Sequence, residues 1–167
     1  EVEANVEVEI EGKKVYEWIA LFRHQDWAVQ SEAQDTLARL GKPAIPYLKR
    51  NVAAKDPALR RGAVITLGKM GELAVDTIPD MLRQMKVEEV DVIRAEILKA
   101  LALIDPKGKG VKAEFEKRLR DRSAEVRDAA RAGLAALAPP EPKPEKGDEE
   151  KTDDSSGEFV LRAEVAD

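Results

Sequence analysis

His24 is the one imidazole in the chain, and there is no cysteine. Thiolate and multi-histidine metal sites need several such ligands converging on one ion, and covalent thiol chemistry needs a Cys, so these classes are excluded. His24 lies in Arg23-His24-Gln25-Asp26 and reads as a solvated turn residue. Any general acid or base would have to be Asp or Glu, and no carboxylate pair is singled out by its spacing. Gly108-Lys109-Gly110 lacks the preceding strand and the longer glycine spacing of a phosphate loop, so it reads as a turn. The basic run at residues 116–122 has the composition of a phosphate grip, but it also sits where a helix should end, and the helix dipole favours cations there. Recognition chemistry is better represented. Tyr16, Trp18, Phe22, Trp27 and Tyr47 crowd one region, with only Phe115 and Phe159 elsewhere. Trp27 falls in a turn position rather than on an apolar stripe, which makes it a candidate contact residue.

These side chains must be positioned by repeated helices. Shifting residues 24–41 by 30 superimposes Val29 on Leu59, Ala33 on Ala63, Leu37 on Leu67, Leu40 on Met70 and Gly41 on Gly71. A further shift of 34 brings Ile93, Ile97, Leu101 and Ile104 into the same slots, and another of 33 brings Val126, Ala130, Leu134 and Leu137. Apolar residues at i, i+4, i+8 and i+11 share one face of a helix and cannot share one face of a strand. A shorter apolar set precedes each: Val15, Trp18, Phe22; Ile45, Leu48, Val52; Ile78, Met81, Met85; Val111, Phe115, Leu119. Turn residues separate them, with Asp26 and Ser123 as expected caps and Pro46 and Pro79 near first-helix starts. Four helix pairs over residues 15–138 are predicted: an all-α chain, an α-solenoid in which each pair is buried by its neighbours.

The strings DPALRRGAVITLGKMG (residues 56–71), RSAEVRDAARAGLAAL (122–137) and KPAIPYLKRNV (42–52) resemble HEAT repeats of the short bacterial kind, also seen in phycobilisome-lyase-like proteins. Leu59-Arg60 and Val126-Arg127 match the family's Val-Arg slot, and Asp56 its turn Asp. Gln30 departs from the slot in the first copy and Val90 from the turn Asp in the third, while Asp105 and Ala138 stand where the closing Gly is expected. The resemblance implies a superhelix of antiparallel helix pairs that holds other proteins. It also implies that Asp56, Arg60, Arg94 and Arg127 join neighbouring repeats through turn carboxylates and carbonyls, rather than forming an anion ladder.

On a helical wheel, the positions opposite the apolar stripe of the second helices are Ser31, Asp35 and Ala38; Arg61, Ile65 and Gly68; Ala95, Lys99 and Ala102; and Asp128, Ala132 and Ala135. They are expected to line one exposed surface, with Arg61, Ile65, Lys99 and Trp27 as candidate binding residues. That stripe is neutral and without stacking aromatics, which disfavours nucleic acid. The expected function is a non-catalytic protein-binding or scaffold module with no cofactor and no metal, its partner another protein or a peptide. A bilin lyase-like or other enzyme subunit is the alternative, and nucleic-acid binding a second.

Charge divides the 167 residues, whose net charge is -5. Residues 1–14 hold five acids and two bases, and residues 139–167 hold ten acids and four bases, so the solenoid between them is basic. Residues 139–157 read as an acidic, Pro-rich linker. Val2, Ala4, Val6, Val8 and Ile10 alternate with polar residues, as do Phe159, Leu161, Ala163 and Val165 with Val160, Arg162 and Glu164; short strands are predicted within 1–14 and 158–167, pairing with each other on the solenoid. No apolar run long enough to span a membrane occurs, and the compartment, cytoplasmic or exported after leader removal, stays open. A chain starting at Glu1 is expected to be processed or part of a longer protein.

Overall fold

A computed structural model describes residues 8–137; the predicted linker, the predicted C-terminal strand, most of the predicted N-terminal strand and their proposed pairing lie outside the described residues. The rest is four helix pairs. They are α1 (Val15–Ala20) with α2 (Trp27–Leu40), α3 (Ile45–Asn51) with α4 (Pro57–Met70), α5 (Ile78–Val87) with α6 (Asp91–Ile104), and α7 (Lys112–Arg118) with α8 (Ala124–Ala136). Short 3-10 turns at Leu21–Arg23, Lys42–Ala44 and Gly71–Thr77 complete the path. The second helices stack α2 on α4 on α6 on α8, and each first helix packs on its own partner.

The apolar slots form the core. Ala33, Leu37, Ala63, Leu67, Ile93, Ile97, Leu101, Val126 and Ala130 are buried, and so are Trp18, Leu48, Met81 and Phe115 from the first helices and Phe22 from the turn after α1. Small residues set the spacing. A Cβ on Gly62 would lie 2.3 Å from the Phe22 ring, and one on Gly133 would lie 2.5 Å from the Phe115 ring. Each glycine is therefore the notch that admits an aromatic side chain, and no larger residue fits there without repacking.

Caps follow the predicted turns in part. The Asp26 and Asp56 carboxylates accept from the Ala28 and Ala58 N–H groups, as N-caps should. Ser123 occupies the N-cap of α8 but makes no side-chain cap. Its own N–H donates to Asp121, a bond that fixes the turn before α8 without capping the first N–H groups of the helix.

At the N-terminus the structure departs from the single predicted strand. Glu9–Ile10 (β1) pairs antiparallel with Lys13–Lys14 (β2), with Glu9 opposite Lys14 and Ile10 opposite Lys13. Glu11 and Gly12 between them both have positive φ, 52° and 75°. That is the left-handed pair a two-residue hairpin needs, and Gly takes it without a Cβ penalty. The hairpin is pinned to the first pair: Val15 N–H donates to the Val8 carbonyl, Trp18 Nε1 to the Ile10 carbonyl, and Lys13 Nζ sits 4.5 Å from the Trp18 ring centre.

Candidate functional site

Two surfaces carry the candidate residues: the row of turns joining the helices within each pair, and the exposed face of the second helices.

The turns at residues 24–26, 54–56, 88–90 and 121–123 line one edge, and the slot arginines lie along it. Arg60 donates through Nε and Nη2 to both carboxylate oxygens of Glu88 in the next pair, at 2.7 and 2.9 Å, and through Nη1 to the Ala54 and Lys55 carbonyls of its own turn. Arg94 repeats this one pair later, donating to Asp121 at 2.9 Å and to the Glu88 and Glu89 carbonyls. It adds a bond to Asp91 at 2.7 Å. Arg127 makes the two bonds to its own turn, at the Asp121 and Arg122 carbonyls, and has no carboxylate partner among the described residues. Gln30, in the arginine slot of the first pair, keeps the equivalent bond, donating from Nε2 to the His24 carbonyl. The next pair has Ala54 where the later ones have Glu88 and Asp121, so cation and carboxylate are missing from that junction together. Arg23 and Asp56, 2.5 Å apart and largely exposed, tie the first two pairs instead.

Electrostatics follow the geometry. Burial works against ionised Glu88, yet donation from Arg60, Gln84 and the Val90 N–H holds its carboxyl below the usual glutamate range. Asp121 is likewise lowered: burial opposes, and the Ser123 N–H and Arg94 outweigh it. Asp56 is lowered chiefly by the Ala58 N–H, with Arg23 assisting. The arginines respond in kind, Arg60 raised by its bond to Glu88, and Arg94, despite desolvation, by Asp121 and Asp91. Buried charges paired in this way are structural ties, although Arg94 Nε is buried without a hydrogen-bond partner. The basic run is absorbed by the same edge: Arg118 bonds Glu114, Asp121 and the Met85 carbonyl, and Arg122 the Glu89 carbonyl. Residues 85–89 with Arg118, Asp121 and Arg122 frame a shallow groove of about 610 Å³ beside Arg94. The exposed His24 imidazole accepts from the Asp26 N–H through Nδ1, the turn role that Glu88 and Asp121 fill later.

The second surface needs a correction of register. Gly68 and Ala95 of the predicted stripe are buried and Ser31 is half-buried, while Glu32, Lys69 and Lys99 are exposed. The inner second helices α4 and α6 are flanked on both sides by their neighbours as well as covered on the core side, so the solvated strip is turned toward Glu32 and Asp35, Arg61 and Lys69, Lys99 and Leu103, and Asp128 and Ala132. Asp35, Arg61, Lys99, Asp128 and Ala132 remain on it, and Ile65 is half-buried. The structure brings Arg61 and Lys99 together on Glu96, whose Oε1 lies 3.9 Å from the one and 3.2 Å from the other. Lys69 bonds Asp35 at 2.7 Å across α2 and α4. Trp27 stands apart at the first position of α2, 76% exposed. Of the other clustered aromatics, Trp18 and Phe22 are buried, Tyr47 is half-buried and Tyr16 is exposed.

The family model of HEAT repeats matches residues 17–102, a span that runs from within α1 through the second helix pair and most of the third. The chain belongs to the HEAT-repeat family. The matched HEAT region ends at Ala102, inside α6, and the fourth pair continues the same packing and the same slot through Arg127. No curated protein matches the chain. Among the described residues there is no group of three or more His, Asp or Glu placed to hold a metal ion, and no helix long and apolar enough to cross a membrane.

Proposed function

We propose that this HEAT solenoid is a non-catalytic protein-binding module, and that its contact surface is the solvated face of the second helices with Trp27 at one end. The observation that carries this reading is Trp27 itself. A tryptophan three-quarters exposed at a helix start contributes little to folding, while a large, rigid amphipathic ring is what anchors a protein interface. Along the face of the second helices the cations are already paired, Lys69 with Asp35 and both Arg61 and Lys99 with Glu96. A nucleic-acid track needs unpaired cations in a row and stacking platforms, so paired charges favour a protein or peptide partner over a phosphate backbone. Arg61, Ile65 and Lys99 then supply polar and apolar contacts that set specificity, since an incoming acidic or basic group must exchange partners with Glu96.

The test is capture of partners from the source cell by the immobilised full chain, beside Trp27→Ala and the double reversal Arg61→Glu with Lys99→Glu. Partners retained by the wild type and reduced at least tenfold by Trp27→Ala, with thermal unfolding unchanged, support the surface. Full yield with both variants removes the site from this face. Tight binding to oligonucleotides that weakens steeply with salt would replace the reading with a nucleic-acid one.

A further inference from the structure

The edge opposite the arginine row is apolar where it should be wet. Leu73 and Val75, in the Gly71–Thr77 turn, are 51% and 49% exposed, and Leu103, near the end of α6, is 58% exposed. The turn packs on α6, and a Cβ on Gly71 would lie 3.6 Å from the Leu103 carbonyl. Next to them a groove of about 280 Å³ is walled by Val75, Ile104 and Pro106 and rimmed by charges of both signs, Glu72 and Asp105 against Lys107 and Lys109. Branched side chains exposed on one edge beside a groove offer apolar surface to a segment that can reach them.

The path of the chain says what is at hand. Leu137, the last described residue, packs against the rim of this groove: a Cβ on Gly108, between Lys107 and Lys109, would lie 2.6 Å from its Cδ1. The main chain therefore leaves the solenoid beside the apolar edge. After 21 intervening residues the sequence turns apolar with period two: Phe159, Leu161, Ala163 and Val165, with Arg162 and Glu164 between them. By random-chain statistics a tether of that length spans roughly 25 Å and holds its end at an effective concentration on the order of mM. Contacts too weak to hold a separate peptide suffice under those conditions. Arg162 and Glu164 offer one charge of each sign to a rim that carries both.

We propose that the edge formed by Leu73, Val75, Leu103 and the adjoining groove is the docking site for the chain's own apolar segment, residues 159–165. This would make the edge an intramolecular interface that adjoins the face proposed for the partner and meets it at Leu103.

The absence of native cysteine permits a direct test in the full chain. Leu103→Cys is paired with Phe159→Cys, and a control pairs Arg50→Cys with Phe159→Cys; Arg50 is exposed at the end of α3, toward the arginine edge. Under a glutathione redox buffer at low protein concentration, the Leu103 pair should form an intramolecular disulfide at least tenfold faster than the control. In the unmodified chain, deleting residues 158–167 should shift the methyl resonances of Leu73, Val75 and Leu103 and leave those of the first helix pair in place. Equal disulfide rates, a link that forms only between chains and speeds up with concentration, or methyl shifts confined to the N-terminal hairpin would each overturn the proposal. Those results would point to an undocked tail, a second copy and pairing of the two ends, respectively.

Discussion

The junction between the first two helix pairs and the two junctions after it have the same architecture with different fastenings. From the second pair to the third, Arg60 and Glu88 meet in a two-bond pair with the Glu88 side chain 1% exposed; from the third to the fourth, Arg94 reaches an Asp121 that is nearly as covered. Between the first and second pairs, Gln30 and Ala54 occupy those slots, and the charged link is the exposed Arg23–Asp56 pair. Apolar packing runs through all three, with Phe22 in the Gly62 notch at the first. The stack thus needs the apolar slots at every junction, while the ion pairs are a joint property of two repeats: both members are present or both are absent. Desolvation explains this, since a buried guanidinium or carboxylate without its partner costs more than the pair contributes.

Breaking one member of a buried pair should therefore have the largest effect. Glu88→Ala strands Arg60 and is expected to cost about 3 to 5 kcal/mol in urea unfolding. Replacement of Arg23 by Ala at the exposed link should cost about 1 kcal/mol or less; similar losses would erase the distinction between the junctions. The same contrast has a pH signature. Glu88 and Asp121 have folded-state pKa values below their unfolded values of 4.5 and 3.8. They bind fewer protons folded than unfolded, so their contribution is complete above the unfolded pKa values and is lost as pH falls through the lowered ones. Urea titrations from pH 7 to pH 2 should show stability falling on the acid side, with a shallower fall in Asp121→Asn.

Overpacking is next in size. Ala63 and Ala130 are fully buried in equivalent slots, and Leu at either should cost about 1 to 3 kcal/mol. Unchanged thermal midpoints for both would show that these slots are not the contacts between helices.

Smaller effects sharpen the comparison. Arg127 keeps only its own-turn carbonyl bonds, so Arg127→Ala should cost about 1 kcal/mol and Arg94→Ala clearly more. Writing the missing rung into the first junction, Gln30→Arg with Ala54→Glu, should add up to about 1 kcal/mol as a double variant, whereas Ala54→Glu alone adds nothing or destabilises. A double-mutant cycle with no coupling would mean that the two slots do not face each other there.

Much of this is local information and was legible in the sequence. Helix pairs follow from apolar residues at i, i+4, i+8 and i+11 four times over, because that spacing fits one face of a helix and nothing else. The cap at Asp26 follows from its position before such a face, whereas the cap expected at Ser123 makes no side-chain bond. The recurrence of Arg60, Arg94 and Arg127 was visible too, with a structural role implied by the family resemblance. The hairpin was missed because alternation from Val2 to Ile10 reads as one strand, although Glu11-Gly12 is a turn signal of the kind that folds a chain back after two residues. The register of the exposed strip was misplaced at Gly68 and Ala95, because a wheel built around one apolar face takes no account of neighbours on both flanks of a stacked helix.

By itself the sequence determined the number of helices, their pairing, the slots that must be buried and the absence of thiol and multi-histidine chemistry, all of which depend on residue type and period. Tertiary structure decided which carboxylate each arginine meets, that Arg61 and Lys99 share Glu96, that Trp27 faces water while Trp18 does not, and that Leu73, Val75 and Leu103 share an edge. These are relations between residues about 30 apart in the chain, set by how one pair stacks on the next, and a period read along a single helix does not contain them.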